Sequence, residues 1–310
     1  MDVKGKKIYV GLSGGVDSAV SAALLQQAGA HVTGVFIKGW YPPGMPCTWA
    51  AERRDAMLVA ARLHIPFETL DAREEYKKGV IDYLLSEYRA GRTPNPDVMC
   101  NREVKFGAFY KYAKAAGADA IAMGHYRGGE KDQSYFLWAV PKEILNATIF
   151  PVGNYEKDTV RALAKEFRLP VAEKKDSQGV CFLGSVSIEE FLKKELGDDN
   201  PALLYTLGQR VSRPGGPWYV VGKDIEKKEI QVSRTRATTT REIPFTEANW
   251  FGEPTAEVEA QYRYRGPLVR GRLEGERFVA ATALPEIPAP GQSIVFYRNA
   301  ELVGGGIISV

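Results

Sequence analysis

The stretch "GLSGGVDS", residues 11–18, follows the apolar run 8–10 and precedes a helix-like segment, 19–27. A strand that turns into a helix through Gly14 and Gly15 leaves unpaired backbone N–H groups at the helix N-terminus, directed into the turn. Glycine lets a bulky anion approach the backbone closely, and the two serines add hydroxyl donors. The stretch therefore predicts a phosphate-binding loop.

The loop differs from the two commonest phosphate-binding motifs. It lacks the closing lysine of G-x-x-x-x-G-K-[ST], and its glycines are not spaced as G-x-G-x-x-G. The run SGGVDS resembles the pyrophosphate-binding loop of the ATP pyrophosphatases, which split ATP between the α and β phosphates and leave AMP on a substrate oxygen. The resemblance implies that Asp17 orients the loop or holds Mg²⁺. The alternative is an ordinary tight turn with a serine as helix N-cap.

Composition places the chain among ordinary globular proteins. Its 310 residues are 45% hydrophobic and 25% charged, enough for a sizeable core and two or three domains. We expect a cytoplasmic protein without a membrane segment, because no apolar run reaches about eighteen residues and the N-terminus is charged. The net charge of +3 permits a polyanionic partner. An odd number of cysteines, three, argues against a disulfide framework and leaves catalysis, metal binding or burial.

Strand-like and helix-like segments alternate as far as about residue 170. The predicted strands are 8–10, 32–37, 67–70 and 120–123, and the predicted helices are 19–27, 50–63, 76–89 and 106–116. This βα order predicts a doubly wound parallel sheet, with ligands at the carboxyl ends of its strands. From Tyr205 onward, short β-branched and aromatic runs separated by Gly, Pro and charged turns predict an all-β, barrel-like tail.

Two cysteines lie in segments that suggest chemistry. In "GRTPNPDVMCNREVKFG", residues 91–107, prolines fix an extended backbone that exposes Cys100 before a helix expected near Glu103. In "KKDSQGVCFLG", residues 174–184, Cys181 follows two lysines whose charge would favour a thiolate if they lie near it in space. Either thiol is alternatively a small buried hydrophobe.

Two further interpretations of the cysteines are weaker. Cys47 follows a proline-rich turn, and we expect it to be a buried or spectator thiol. A zinc site is disfavoured because there is no C-x-x-C spacing and the chain has only three histidines.

Motifs along nearly the whole chain resemble the tRNA-specific 2-thiouridylase family, MnmA. They are GLSGGVDS, AGRTPNPDVMCNREVKFG, MGHY, KDQSYFL, KKDSQGVCFLG, YTLGQR, WYVVGKD, YRYRG, PGQSIVFY and GGGII, in family order. The resemblance implies an α/β fold of the adenine nucleotide α hydrolase-like (PP-loop) type, then a short middle module and a β-barrel. We expect a catalytic domain over 1–185, an abbreviated central module over 186–234 and a tRNA-binding barrel over 235–310.

The family resemblance also implies an activity. The family uses ATP, with Mg²⁺, to adenylate the C2 oxygen of the wobble uridine of tRNA, and replaces that oxygen with sulfur from an enzyme persulfide. The expected product is 2-thiouridine, and the expected partners are tRNA and a sulfur donor protein, either a cysteine desulfurase or a sulfur-relay carrier.

The family motifs assign site residues by position. ATP is expected at Gly11, Leu12, Ser13, Gly14, Gly15, Val16, Asp17, Ser18, Ile37 and Gly124. The target base is expected at Asn95, Pro96 and Asp97, and tRNA contacts at His125, Lys131, Asp132, Gln133, Arg263, Tyr264 and Gln292. Sulfur transfer is assigned to Cys100 and Cys181, which would form a disulfide after one turnover, with Asp97 as general base or acid.

Some alternatives stay open. Asp97 could instead cap or brace its loop, and the YRYR run could be a solvated strand face. The segment 127–130 is shorter than the family's usual hairpin, and 211–214 departs from the family pattern. Rival functions are another PP-loop ATP pyrophosphatase, either a small-molecule synthetase or an enzyme thiolating a different tRNA position, and a nucleotide-sensing RNA-binding protein without catalysis.

Overall fold

The computed structural model describes residues 2–43, 49–175, 187–197, 200–236 and 238–310. The chain divides into two compact units, Met1–Val80 with Met99–Val186 and Ile81–Val98 with Ser187–Val310. The three-part domain division expected from the sequence stays a prediction. Within the described ranges, no helix is both long and apolar enough to cross a bilayer.

The first unit contains a five-stranded parallel sheet. Its strands are β1 (Lys7–Gly11), β2 (His31–Lys38), β3 (Phe67–Asp71), β4 (Ala120–Ala122) and β5 (Thr148–Ile149). Their order in the sheet is β3-β2-β1-β4-β5, and every neighbouring pair is parallel. The four predicted strands are confirmed, whereas β5, with two residues, is too short to show a periodic pattern.

The sheet order creates a switch point between β1 and β4. The chain adds β2 and β3 on one side of β1, then β4 and β5 on the other. Loops that leave the carboxyl ends of strands at such a point diverge and open a crevice, where ligands of this fold class bind. The loop after β1 is the glycine-rich stretch, so the fold places it at this crevice.

Ten α-helices lie in the described residues. They are α1 (Val16–Gln27), α2 (Trp49–Leu63), α3 (Arg73–Tyr76), α4 (Tyr83–Arg89), α5 (Pro96–Met99), α6 (Phe109–Ala115), α7 (Lys142–Asn146), α8 (Lys157–Glu166), α9 (Ile188–Leu196) and α10 (Pro201–Leu204). Helix α1 is buried over most of its length and packs on α2 and α8. The apolar run of β1 and the small residues of α1 allow this close packing, which fixes the start of α1 beside the sheet.

Two helical predictions need correction. The helix predicted over 76–89 is interrupted by a π-helical segment, Lys77–Asp82, and a second π-helical segment spans Cys100–Ala108. The helix expected to begin near Glu103 begins instead at Pro96. Proline suits the first helical position, and the Asn95 side chain accepts a hydrogen bond from Val98 N at 3.4 Å.

The second unit holds two β structures besides its helices. A three-stranded antiparallel sheet consists of β6 (Arg210–Arg213), β7 (Gly216–Asp224) and β8 (Glu229–Ser233). A closed antiparallel barrel follows, with β9 (Glu242–Trp250), β10 (Glu257–Gln261), β11 (Val269–Leu273), β12 (Arg277–Ala280), β13 (Ser293–Arg298) and β14 (Glu301–Ile308). Its order is β10-β11-β12-β9-β14-β13, and pairing of β13 with β10 closes it.

Apolar side chains fill the barrel interior. Phe245, Phe278 and Phe296 are buried, and the Trp250 ring stacks on Phe296 with centroids 5.2 Å apart. Burial alternates along β10 and β12, whereas five consecutive residues are buried in each of β13 and β14, and closure leaves no free sheet edge. The predicted barrel-like tail is confirmed, although the sequence reading did not identify β9 or β12 as strands.

Candidate active site

The phosphate-binding loop joins β1 to α1 as expected. Gly14 has φ +76°, and a Cβ there would collide with the backbone carbonyl of Glu52, so this position requires glycine. The Ser18 hydroxyl accepts a hydrogen bond from Ser13 N at 3.2 Å, and Gly15 N donates to Ser13 Oγ at 3.3 Å. These contacts hold the loop in a tight turn over the helix start.

The first turn of α1 remains open to a ligand. Its N-cap is Gly15, in extended conformation, and no side chain among the described residues caps this helix end. Uncapped N–H groups together with the helix dipole form an anion-binding site. Gly124, after β4, borders the first turn of α1 on one side, because a Cβ at this position would lie 2.9 Å from Ser18 N.

A cavity of about 120 Å³ opens beside the loop. Its lining includes loop residues Gly11 to Ser13, Ile37 at the end of β2, and Cys100 with Lys105 from the second π-helical segment. Most of the lining is apolar, which suits a planar base or ring. The structure thus brings together part of the predicted ATP set and Cys100, whose side chain is 4% exposed.

The Asp17 carboxylate is held by two side chains that the sequence reading missed. Lys157 Nζ lies 2.6 Å and 2.8 Å from its two oxygens, and the Tyr126 hydroxyl donates to Oδ1 at 2.6 Å. Lys157 is only 11% exposed, so this ion pair is shielded from solvent on most sides. One feature of the sequence could have pointed to Lys157: it is the first residue of α8, where the helix dipole disfavours a cation.

Lys174 also contacts the loop. Its ammonium donates to the Gly14 carbonyl at 3.0 Å and pairs with Asp55 at 2.5 Å. The sequence reading associated Lys174 with the thiol of Cys181. Cys181 and Cys47 both lie outside the described residues, so the partners found for Lys174 are Asp55 and the loop.

The segment expected to meet the target base belongs to the second unit. Asn95 serves as the cap of α5, with Pro96 at the first helical position, and Asp97 in the first turn is exposed. The capping role considered for Asp97 is therefore filled by Asn95. Gln292 holds this segment from the barrel side, because its Nε2 donates to the carbonyls of Thr93 at 2.9 Å and Pro94 at 3.2 Å.

His125 forms an aromatic cluster with two phenylalanine rings. Its ring centroid is 5.4 Å from that of Phe106 and 6.3 Å from that of Phe150. Burial, followed by the charge of Lys105, lowers the pKa of His125 to about 3. The imidazole is therefore neutral at physiological pH, and it packs as an uncharged ring rather than as a cation.

The Lys131-Asp132-Gln133 triplet divides into different roles. Asp132 Oδ1 accepts a hydrogen bond from Ser134 N at 2.6 Å, and Gln133 Oε1 accepts one from Tyr126 N at 3.0 Å. These two side chains shape the backbone next to the Asp17 site, whereas Lys131 is exposed.

In the barrel unit, Arg263 and Tyr264 face different surroundings. Arg263 pairs with the buried carboxylate of Glu286 at 3.1 Å and also donates to the carbonyl of Leu207. Tyr264 is 37% exposed, and the Arg265 guanidinium lies 5.3 Å from its ring centroid. Tyr264 and Arg265 are therefore exposed, whereas Arg263 is directed into the unit, where its Nη2 donates to the carbonyls of Leu207 and Ile287.

No metal site is evident in the parts of the chain that the structure describes. No group of three or more His, Cys, Asp or Glu side chains there is arranged to hold an ion.

A glycine-rich loop at the switch point of a parallel sheet, followed by a closed antiparallel barrel, defines a PP-loop α/β protein with a C-terminal barrel. The family model described as "tRNA methyl transferase HUP domain" matches residues 6–185, and the one described as "Aminomethyltransferase beta-barrel domain" matches residues 240–308. Two curated relatives carry the name tRNA-specific 2-thiouridylase MnmA, one from Streptococcus thermophilus (strain CNRZ 1066) and one from Streptococcus agalactiae serotype Ia.

Each of these relatives is 38% identical over an alignment 354 residues long, which covers 97% of this chain and 95% of the relative. The chain belongs to the tRNA-specific 2-thiouridylase (MnmA) family. Among solved structures, an NMN synthetase from Francisella tularensis is similar with a TM-score of 0.39 and 18% identity, covering 63% of this chain and 79% of that one.

Proposed function

We propose that the chain is an ATP-dependent tRNA-uridine 2-sulfurtransferase that converts the wobble uridine of tRNA to 2-thiouridine. The observation that carries this proposal is the cavity in which the phosphate-binding loop and Cys100 meet. A nucleotide site and a thiol in one cavity suit a reaction in which adenylation of the C2 oxygen is followed by sulfur attack on the adjoining C2 carbon. The names of the curated relatives support the same reaction.

The nucleotide would bind along the loop. The open N–H groups of α1 and the hydroxyls of Ser13 and Ser18 are the donors for phosphate oxygens, with Ile37 and Gly124 beside the adenosine. Mg²⁺ would accompany the triphosphate and neutralise part of its charge. Of the two roles considered for Asp17, orientation of the loop is better supported, because its carboxylate already contacts Lys157 and Tyr126.

The chemistry requires activation first. The C2 oxygen of uracil cannot leave as oxide, so it attacks the α-phosphorus, pyrophosphate departs, and the C2 oxygen becomes part of an AMP leaving group. Asp97, exposed and three residues before Cys100 in the chain, is the proposed general base or acid at the ring.

Sulfur then replaces the activated oxygen. A persulfide on Cys181, loaded by a persulfide-bearing donor protein, attacks C2 with its terminal sulfur, and AMP departs with the oxygen. The Cys100 thiolate attacks the inner sulfur, which forms a Cys100–Cys181 disulfide and leaves the terminal sulfur on C2. A thiol reductant supplies the two electrons that restore both cysteines.

Exposed side chains in each unit are candidates for contacts with tRNA. Lys131 is exposed in the first unit, and Tyr264 with Arg265 is exposed in the second. Arginine suits phosphate contacts and tyrosine suits stacking on an unpaired base.

A tRNA-dependent exchange of labelled pyrophosphate into ATP tests this function. We expect exchange only when tRNA is present, a large loss of exchange in Ser13→Ala, and little change in tRNA affinity. Ser212→Ala, on the exposed strand β6, is the matched control. Exchange without tRNA would favour a small-molecule synthetase, and full exchange in Ser13→Ala would contradict the assigned loop.

A further inference from the structure

Two lysines from distant parts of the chain reach a loop that has no cation of its own. Residues 11–18 contain neither lysine nor arginine. Lys157 contacts Asp17 inside the loop, and Lys174 donates to the Gly14 carbonyl of the loop while pairing with Asp55. Polyphosphate sites generally combine backbone amides with positive charge, so these two ammonium groups are the local source of that charge.

Helix α8 fixes both lysines. Lys157 is its first residue, and Arg161, one turn later, donates from Nη1 to the backbone carbonyl of Lys174 at 3.2 Å. The helix dipole destabilises a cation at a helix N-terminus, so the position of Lys157 at the start of α8 is electrostatically unfavourable. An ion pair between α8 and α1 does not by itself require a lysine at that position. An anion bound at the loop would remove this electrostatic cost.

Both ion pairs remain partly open on one side. The side chain of Asp17 is 30% exposed, that of Lys174 33% and that of Asp55 34%. A phosphate group entering from solvent can therefore approach the Lys174 ammonium directly, whereas the Lys157 side chain, at 11% exposed, is more enclosed and its ion pair is open mainly at the Asp17 carboxylate.

We propose that Lys157 and Lys174 bind the β- and γ-phosphates of ATP and, after cleavage, the leaving pyrophosphate. Asp17 and Asp55 are positioning residues that hold the ammonium groups at the loop until phosphate oxygens become their acceptors. When the bond between the α-phosphorus and the bridging oxygen breaks, its electron pair stays on pyrophosphate, and the two lysines neutralise that charge. This inference rests on the proposed ATP-dependent function.

Calorimetric titration with ATP, AMP and inorganic pyrophosphate at constant Mg²⁺ tests the proposal. In Lys157→Gln and in Lys174→Gln we expect the affinity for ATP and pyrophosphate to fall by about tenfold or more, the usual effect of losing one charge-assisted hydrogen bond. AMP affinity should stay within about twofold, since AMP lacks the groups that the lysines contact, and its retention also shows that the variant is folded. Lys157→Arg should retain most of the ATP affinity.

Lys165→Gln is the matched control, because Lys165 lies on the same helix, is 62% exposed and pairs only with Glu173 among the described contacts. Unchanged ATP affinity in both lysine variants, or an equal loss of ATP and AMP affinity, would overturn the proposal and leave a structural role for the ion pairs. Failure of the unaltered protein to bind either ATP or AMP would instead overturn the proposed function on which it rests.

Discussion

The substitution Gly124→Ala would test the close approach between the end of β4 and the start of α1. A Cβ at this position would lie 2.9 Å from Ser18 N, 3.0 Å from the Asp17 carbonyl carbon and 3.2 Å from the Ser18 Cα. All three neighbours are backbone atoms of a buried helix, so they cannot rotate away as a side chain would. Overpacking of this kind costs about 1–3 kcal/mol of unfolding free energy.

The same methyl group would lie in front of the N–H groups proposed to hold phosphate. We therefore expect Gly124→Ala to lose stability and, more strongly, nucleotide affinity, measured by urea unfolding and by ATP titration. Gly252→Ala is the control, because a Cβ at Gly252 has no neighbour within 4 Å. Unaltered stability together with unaltered ATP affinity in Gly124→Ala would refute the close packing described at this end of α1.

Three further predictions concern other parts of the molecule. Because the pKa of His125 falls from 6.5 to about 3 on folding, the unfolded state binds a proton that the folded state lacks between these pH values, and stability falls as pH falls through that window. His125→Phe should remove up to about 1.4 kcal/mol per pH unit of that slope, and an unchanged pH dependence of stability in the variant would contradict the lowered pKa. Arg265→Gln should reduce the log–log salt slope of tRNA binding by roughly 0.7 to 0.9, and an unchanged slope would indicate that Arg265 makes no phosphate contact. Gln292→Leu should raise hydrogen exchange at the amides of Thr93, Asn95 and Asp97, because the loss of both hydrogen bonds to the Thr93 and Pro94 carbonyls loosens that segment, and unchanged protection would contradict this role.

The sequence predicted the parts of the fold that depend on local pattern. Alternation of buried strands and amphipathic helices identified β1 to β4, and the glycines of residues 11–18 identified the turn that now precedes α1. These features depend on side-chain burial and backbone freedom within a few residues, which the sequence displays directly. The barrel was predicted as a class, whereas its strand order was not, because pairing between distant strands leaves little local signal.

The parts missed by sequence reasoning are long-range or geometrically irregular. The π-helical geometry of the Cys100–Ala108 segment has no compositional signature, although this segment contributes Cys100 to the lining of the cavity beside the loop. Lys157 and Lys174 meet residues more than 100 positions away, and only the folded sheet brings them there. The pairing of Arg263 with Glu286 was hidden for the same reason.

The central claim is that this chain thiolates tRNA with ATP and paired cysteines. Its most direct test is mass spectrometry of nucleosides from tRNA incubated with the protein, ATP and a persulfide-bearing sulfur donor. We expect 2-thiouridine only when ATP is present, none with Cys100→Ser or Cys181→Ser, and normal amounts with Cys47→Ser as control. Formation of 2-thiouridine without ATP, or by the Cys181→Ser variant, would contradict the account.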